Sequence, residues 1–215
     1  VWIGTYGGVS KFDGINFQNF STKDGLVSNQ VNSIFKDSQN NLWFGSLGGV
    51  SIKDGDTFKN IAFKYELRNN FVLNITEDND GNIWFATDGG GVVKYSDKTL
   101  TYYDINSKNN INNNYVRHVF CDEYNNKWFS TRNGVFILDV KGNIKDTLRN
   151  INATQVLIEK NGNFWCSTFG KGILHATSDS SYFITQKEGL MSNHIRSFIK
   201  KSDRSVWLVS KMGVT

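Results

Sequence analysis

Val31-Asn32-Ser33-Ile34-Phe35-Lys36 mixes β-branched and aromatic residues with polar ones, and it predicts a short strand. The polar run Asp37-Ser38-Gln39-Asn40-Asn41 then predicts a turn. Leu42-Trp43-Phe44-Gly45-Ser46 is apolar on both alternating faces, as a strand in a sheet stacked between two other sheets must be. Gly48-Gly49 breaks it, and Val50-Ser51-Ile52-Lys53 predicts a third strand. Asp54-Gly55 is a hairpin signal before a fourth, Thr57-Phe58-Lys59-Asn60-Ile61. No stretch of useful length shows the 3.6-residue period of an amphipathic helix.

The same pattern recurs along the chain. The six tryptophans stand at 2, 43, 84, 128, 165 and 207, at spacings of 41, 41, 44, 37 and 42. Each lies in an aromatic or β-branched run that closes on Ser or Thr: Thr5, Ser46, Thr87, Thr131, Thr168 and Ser210. Four short strands every forty residues make one propeller blade, so the expected fold is an all-β propeller of four-stranded antiparallel blades. The expected blades are 26–61, 69–104, 112–148 and 152–185, with partial blades at 1–20 and 191–215. Both partial blades contain the Trp strand and so do not complement each other. The expectation is one domain, an incomplete arc of a larger ring. Each Trp is expected on the second strand of its blade, buried in the wedge between neighbouring sheets. The glycines after each Trp strand are expected to allow a tight reversal where blades crowd together.

Gly25-Leu26-Val27-Ser28-Asn29-Gln30-Val31-Asn32-Ser33-Ile34, followed by a turn and Leu42-Trp43-Phe44-Gly45-Ser46, resembles the two-component regulator propeller repeat. A second copy runs Gly189-Leu190-Met191-Ser192-Asn193-His194-Ile195-Arg196-Ser197-Phe198 and leads to Val206-Trp207-Leu208. The resemblance implies a seven-bladed parent ring in the periplasmic or extracellular sensor region of a bacterial two-component receptor, where carbohydrate breakdown products are common ligands. It also implies an alternative, a protein-interaction propeller of a cell-envelope or secretion assembly. A third reading, a propeller lyase or hydrolase, comes from the Gly-Asn-x-Trp turn shared with streptogramin lyases.

Composition narrows the chemistry. The formal charge is +4, with the basic residues scattered along the sequence, so neither nucleic acid nor membrane insertion is expected. Proline is absent, and the two cysteines, Cys121 and Cys166, are expected as free packing thiols. The three histidines, His118, His175 and His194, fall in three different repeats, and no metal-binding or nucleophile motif is present. No cofactor, metal or catalytic residue is therefore expected. Asp78-Asn79-Asp80-Gly81-Asn82 has the look of a calcium loop but lacks the distant bidentate Glu, so it reads as a plain turn. The best candidates for binding are side chains that differ between repeats. They are Tyr6, Asp88, Arg132, Phe169 and Lys211 after the Trp strands, and His194 in a loop entering a blade. These predict an oligosaccharide ligand at one face, or a homodimer or envelope-protein partner there. The plainer alternative for each is a solvated loop tip.

Overall fold

Segments rich in β-branched and aromatic residues form strands, and the polar runs between them form hairpin turns. The computed structural model describes residues 1–64, 71–104, 111, 113–159, 161–200 and 205–214. The first sheet has three strands, β1 (Trp2–Thr5), β2 (Gly8–Phe12) and β3 (Phe17–Phe20). The second has four, β4 (Val31–Lys36), β5 (Leu42–Ser46), β6 (Gly49–Asp54) and β7 (Thr57–Ala62). The third is β8 (Val72–Glu77), β9 (Ile83–Thr87), β10 (Val92–Ser96) and β11 (Thr99–Tyr103). The fourth is β12 (Val116–Cys121), β13 (Lys127–Thr131), β14 (Gly134–Leu138) and β15 (Ile144–Arg149). The fifth is β16 (Ala153–Ile158), β17 (Phe164–Thr168), β18 (Ile173–Ala176) and β19 (Ser181–Ile184). The sixth has three strands, β20 (Ile195–Lys200), β21 (Val206–Ser210) and β22 (Gly213–Val214). Strands adjacent in sequence are adjacent in each sheet. Among the described residues this is an all-β propeller architecture with six antiparallel blades, four of four strands and two of three. Helical structure among the described residues is confined to 3-10 turns such as Thr22–Asp24 and Gln186–Glu188.

The chain divides into two compact units, 1–121 and 122–215. In the first, sheets two and three bury Trp43, Val50, Val72, Ile75, Phe85 and Val93 together. The first strands of successive sheets adjoin one another, β4 with β8 and β8 with β12. A bulge in each of β4 and β8 turns a polar side chain toward the next strand. Ser33 Oγ donates to the Val72 carbonyl at 3.1 Å, and Asn74 Oδ1 accepts from the Val119 N–H at 2.9 Å. The second unit repeats the device, with Gln155 Oε1 accepting from the Phe198 N–H at 2.9 Å. A side chain beside each bulge is thereby tied to a backbone group of the neighbouring sheet.

Every Trp lies on a strand, and in the four-stranded sheets that strand is the second. Burial is not uniform. Trp43, Trp84 and Trp128 are 4%, 2% and 9% exposed, whereas Trp207 is 49% exposed. Trp2 and Trp165 are half-buried. The expectation that all six would be buried is corrected for a physical reason. Trp43 is covered by Phe85 and Tyr95 of the following sheet, and Trp128 by Phe164 of the sheet that follows it. Among the described residues of its unit, no sheet packs over the one that carries Trp207.

The glycine after the Trp strand makes the tight reversal expected of it, but the crowding there has a different source. Gly134 has φ +148°, and a Cβ there would stand 2.0 Å from the Leu148 carbonyl oxygen. Leu148 is in the fourth strand of the same sheet. The crowding therefore comes from within the blade.

Candidate ligand-binding face

Antiparallel order puts the turns between first and second strands, and between third and fourth, at one end of each sheet. The loops after the Trp strands and the connections entering each blade lie at the other. The first end is uniform. Asp37 accepts the Gln39 N–H, the Asn41 N–H and Nδ2, and the Trp43 indole N–H at 2.8 Å. Asp78 takes the Asp80 and Asn82 N–H groups, Asn82 Nδ2 and Trp84 Nε1 at 2.8 Å. Asp122 does the same for Tyr124, Asn126 and Trp128. In the fifth sheet Glu159 reaches Trp165 Nε1 at 2.8 Å. A turn carboxylate thus locks each buried indole with a charge-assisted hydrogen bond. The Asp78 segment, with its faint likeness to a calcium loop, is one copy of this lock. The signal that reveals it is an acid six residues before Trp in four repeats, at 37, 78, 122 and 159.

A groove of about 690 Å³ also opens at this end of the first unit, between the turns of the second and third sheets. Its lining includes Asp37, Glu77, Asp80, Asp97, Lys98 and Tyr95. Glu77 is held by the Ser38 N–H and hydroxyl, both at 2.7 Å, and Asp54 pairs with Lys59 at 2.6 Å.

The opposite end differs from blade to blade. In three sheets the residue after the Trp strand forms an isolated antiparallel bridge with a residue entering the next blade: Leu47 with Phe71, Asp88 with Tyr115, and Phe169 with His194. The Phe169 and His194 rings meet edge to face, 4.7 Å apart. Gly170 and Gly172 donate to the Asn193 carbonyl at 3.0 and 2.9 Å, fixing the loop beneath. Phe169 is nevertheless 46% exposed. Of the predicted residues, the structure brings Phe169 and His194 together as an ordered aromatic platform. Asp88 is half-buried at its bridge. Tyr6, Arg132 and Lys211 stand exposed in two-residue hairpin turns of three different sheets.

The other two histidines lie within strands. His118 lies in β12, and burial lowers its pKa to about 4. The His175 ring stacks on Trp165 at 4.0 Å and meets Tyr182 at 5.3 Å. Both cysteines are free thiols, and burial pushes Cys166 up to about 12. Among the described residues, no group of three His, Cys, Asp or Glu side chains is placed to hold a metal ion. No described helix is long and apolar enough to cross a membrane.

The family model of the two component regulator propeller matches residues 25–48 and 66–89. Those two segments are two-component regulator propeller repeats. The matched segments hold the first and second strands of the second and third sheets, with their Asp–Trp locks. Among curated proteins, none matches the sequence. Among solved structures, the chain is similar to PorZ, an essential bacterial surface component of the type-IX secretion system of Porphyromonas gingivalis. That likeness has a TM-score of 0.80 at 17% identity, over 99% of this chain and 36% of that one. The chain thus spans about a third of the length of PorZ. It is also similar to virginiamycin B lyase from Staphylococcus aureus, with a TM-score of 0.70 at 14% identity, over 94% of this chain and 70% of that one. At these identities the likeness is one of fold.

Proposed function

We propose that this propeller is a non-catalytic, extracytoplasmic ligand-binding domain of a bacterial two-component signalling receptor, and that its ligand is carbohydrate-derived. The matched repeats support the receptor context. One observation carries the choice of face: an exposed aromatic ring, Phe169, is held rigidly against an imidazole by backbone pairing of its loop with the next blade. A fixed aromatic face beside a polar ring suits the apolar face and hydroxyl edge of a sugar, and rigidity lowers the entropy cost of binding. A non-catalytic role agrees with His175 being stacked on Trp165 rather than standing beside the platform.

Calorimetry against a panel of soluble oligosaccharides tests this reading. Phe169→Ala is expected to weaken the best binder roughly tenfold, the loss of one buried aromatic contact. Unchanged affinity in that variant removes the platform from the site. A second reading is a protein-interaction propeller of an envelope or secretion assembly, for which PorZ offers a structural parallel. A pull-down from envelope extract that depends on Phe169, with no sugar binding, would favour it.

A further inference from the structure

Basic residues scattered along the sequence converge in space. A forty-residue repeat returns the same position to the same end of each sheet, so charges tens of residues apart become neighbours on one face. In the second unit, the loop end collects Arg132 (β13–β14 turn), Arg149 (end of β15), Lys171 (β17–β18 turn), Lys187 (3-10 turn), Arg196 (start of β20) and Lys211 (β21–β22 turn). All six are exposed. Lys171 Nζ reaches the Asn150 carbonyl at 3.3 Å, so the loops of the fourth and fifth sheets meet here. Among the described residues of this unit, Glu188 is the acid at that end, already held by the Thr185 N–H and hydroxyl at 2.8 and 2.7 Å.

Among the described residues, the opposite end of the same unit is mixed in charge, with Asp122, Glu123, Asp139, Glu159 and Asp179 beside Lys127, Lys141 and Lys145. Among the described residues, the loop end of the first unit is balanced, with Lys23, Lys64 and Arg117 against Asp24, Asp88 and Asp104, and Lys64 pairs with Asp104 at 3.4 Å.

We infer that the loop face of the second unit binds an anionic oligosaccharide, one carrying a carboxylate or sulfate on successive sugars. The inference rests on the carbohydrate reading above and adds the charge of the ligand. Phe169 and His194 stand on the same face, so a sugar ring packed on the platform would bring its acidic substituents among the surrounding cations. Several exposed cations on one face raise the local concentration of a polyanion and speed its encounter, an effect that salt screens.

The test compares hexagalacturonate with neutral galactohexaose, by calorimetry on the whole chain at low and at near-physiological salt. Hexagalacturonate is expected to bind at least about tenfold more tightly, with its advantage shrinking as salt rises. The combined variant Lys171→Gln, Lys187→Gln, Lys211→Gln alters exposed side chains only. It should lose about tenfold for hexagalacturonate while keeping the thermal midpoint of the parent. Lys141→Gln with Lys145→Gln, at the other end of the unit, should change nothing. If galactohexaose binds as tightly, the anionic inference falls and the carbohydrate reading stands. If neither binds, both fall. A single-stranded oligonucleotide of equal charge that matches hexagalacturonate would also overturn the inference, because the face would then be reading charge alone.

Discussion

At one end of the second sheet, Asp37 gathers two backbone N–H groups, an asparagine amide and an indole. At the other end, Leu47 makes a single bridge to Phe71. In the third sheet, Asp78 repeats the first arrangement almost atom for atom, while Asp88 replaces Leu47 at the second. The turn end is the same machine in successive blades, and the loop end changes its side chain each time. Uniformity marks what the fold needs: a buried indole N–H left without an acceptor costs free energy in every blade alike. Variation marks positions that the fold leaves open. A binding surface can be written there without unmaking the sheets.

The largest expected effect tests whether the loop end is free throughout. It is not free at its glycines. Gly134→Ala would place a methyl group 2.0 Å from a backbone carbonyl at φ +148°. A loss of roughly 3 kcal/mol or more is expected, read as a fall in the denaturant midpoint. A midpoint within error of the parent would mean that β15 can move away, and that the hairpin is looser than its geometry. Next comes the lock itself. Asp78→Ala leaves the Trp84 indole, 2% exposed, with no carboxylate acceptor. About 2–3 kcal/mol of destabilisation is expected, since the lost bonds are to a charged group. By contrast, Phe169→Ala at the variable end should cost about 1 kcal/mol or less of stability while weakening ligand, because its ring is 46% exposed. A large loss of stability in that variant would make Phe169 a structural residue and collapse the distinction between the two ends.

The strands were legible because Trp and its apolar neighbours recur with a period that only stacked sheets explain. The second blade shows how closely this works: Val31–Lys36 is a strand as expected, and the third strand extends one residue beyond each expected end, to Gly49–Asp54. Three things were hidden for physical reasons. The acid six residues before Trp is separated from it by a turn, and the turn's own chemistry drew the eye to Gly and Asn. The clash that demands Gly134 comes from Leu148, fourteen residues away, through a strand pairing that local turn rules do not contain. The basic face was invisible because dispersion in sequence and dispersion in space are different things in a repeat protein. The exposure of Trp207 shows the reverse limit: a strand apolar on both faces is buried on both only where a second sheet stacks against it.

The smallest expected effect isolates the indole from the rest of the lock. Asp139 closes the turn between β14 and β15 with the same backbone bonds as Asp78, from the Lys141 and Asn143 N–H groups at 2.9 and 2.8 Å, and with the Asn143 amide. It is an exposed copy of the turn in which no tryptophan takes part. The Asn143 N–H and amide, with the Lys141 N–H, hold its pKa below the ordinary value of 3.8. A lowered folded pKa means stability that is present above the unfolded value and lost as pH falls through the folded one. Asp139→Ala should therefore lower the denaturant midpoint slightly at pH 7, and the difference from the parent should vanish well below pH 3.8. Because solvent competes for every bond in this turn, the drop should be a small fraction of that in Asp78→Ala. The two variants, measured side by side at both pH values, separate turn closure from indole capture. Equal losses would show that the backbone bonds alone make the lock, and that the Trp N–H adds nothing to the turn end that these four repeats share.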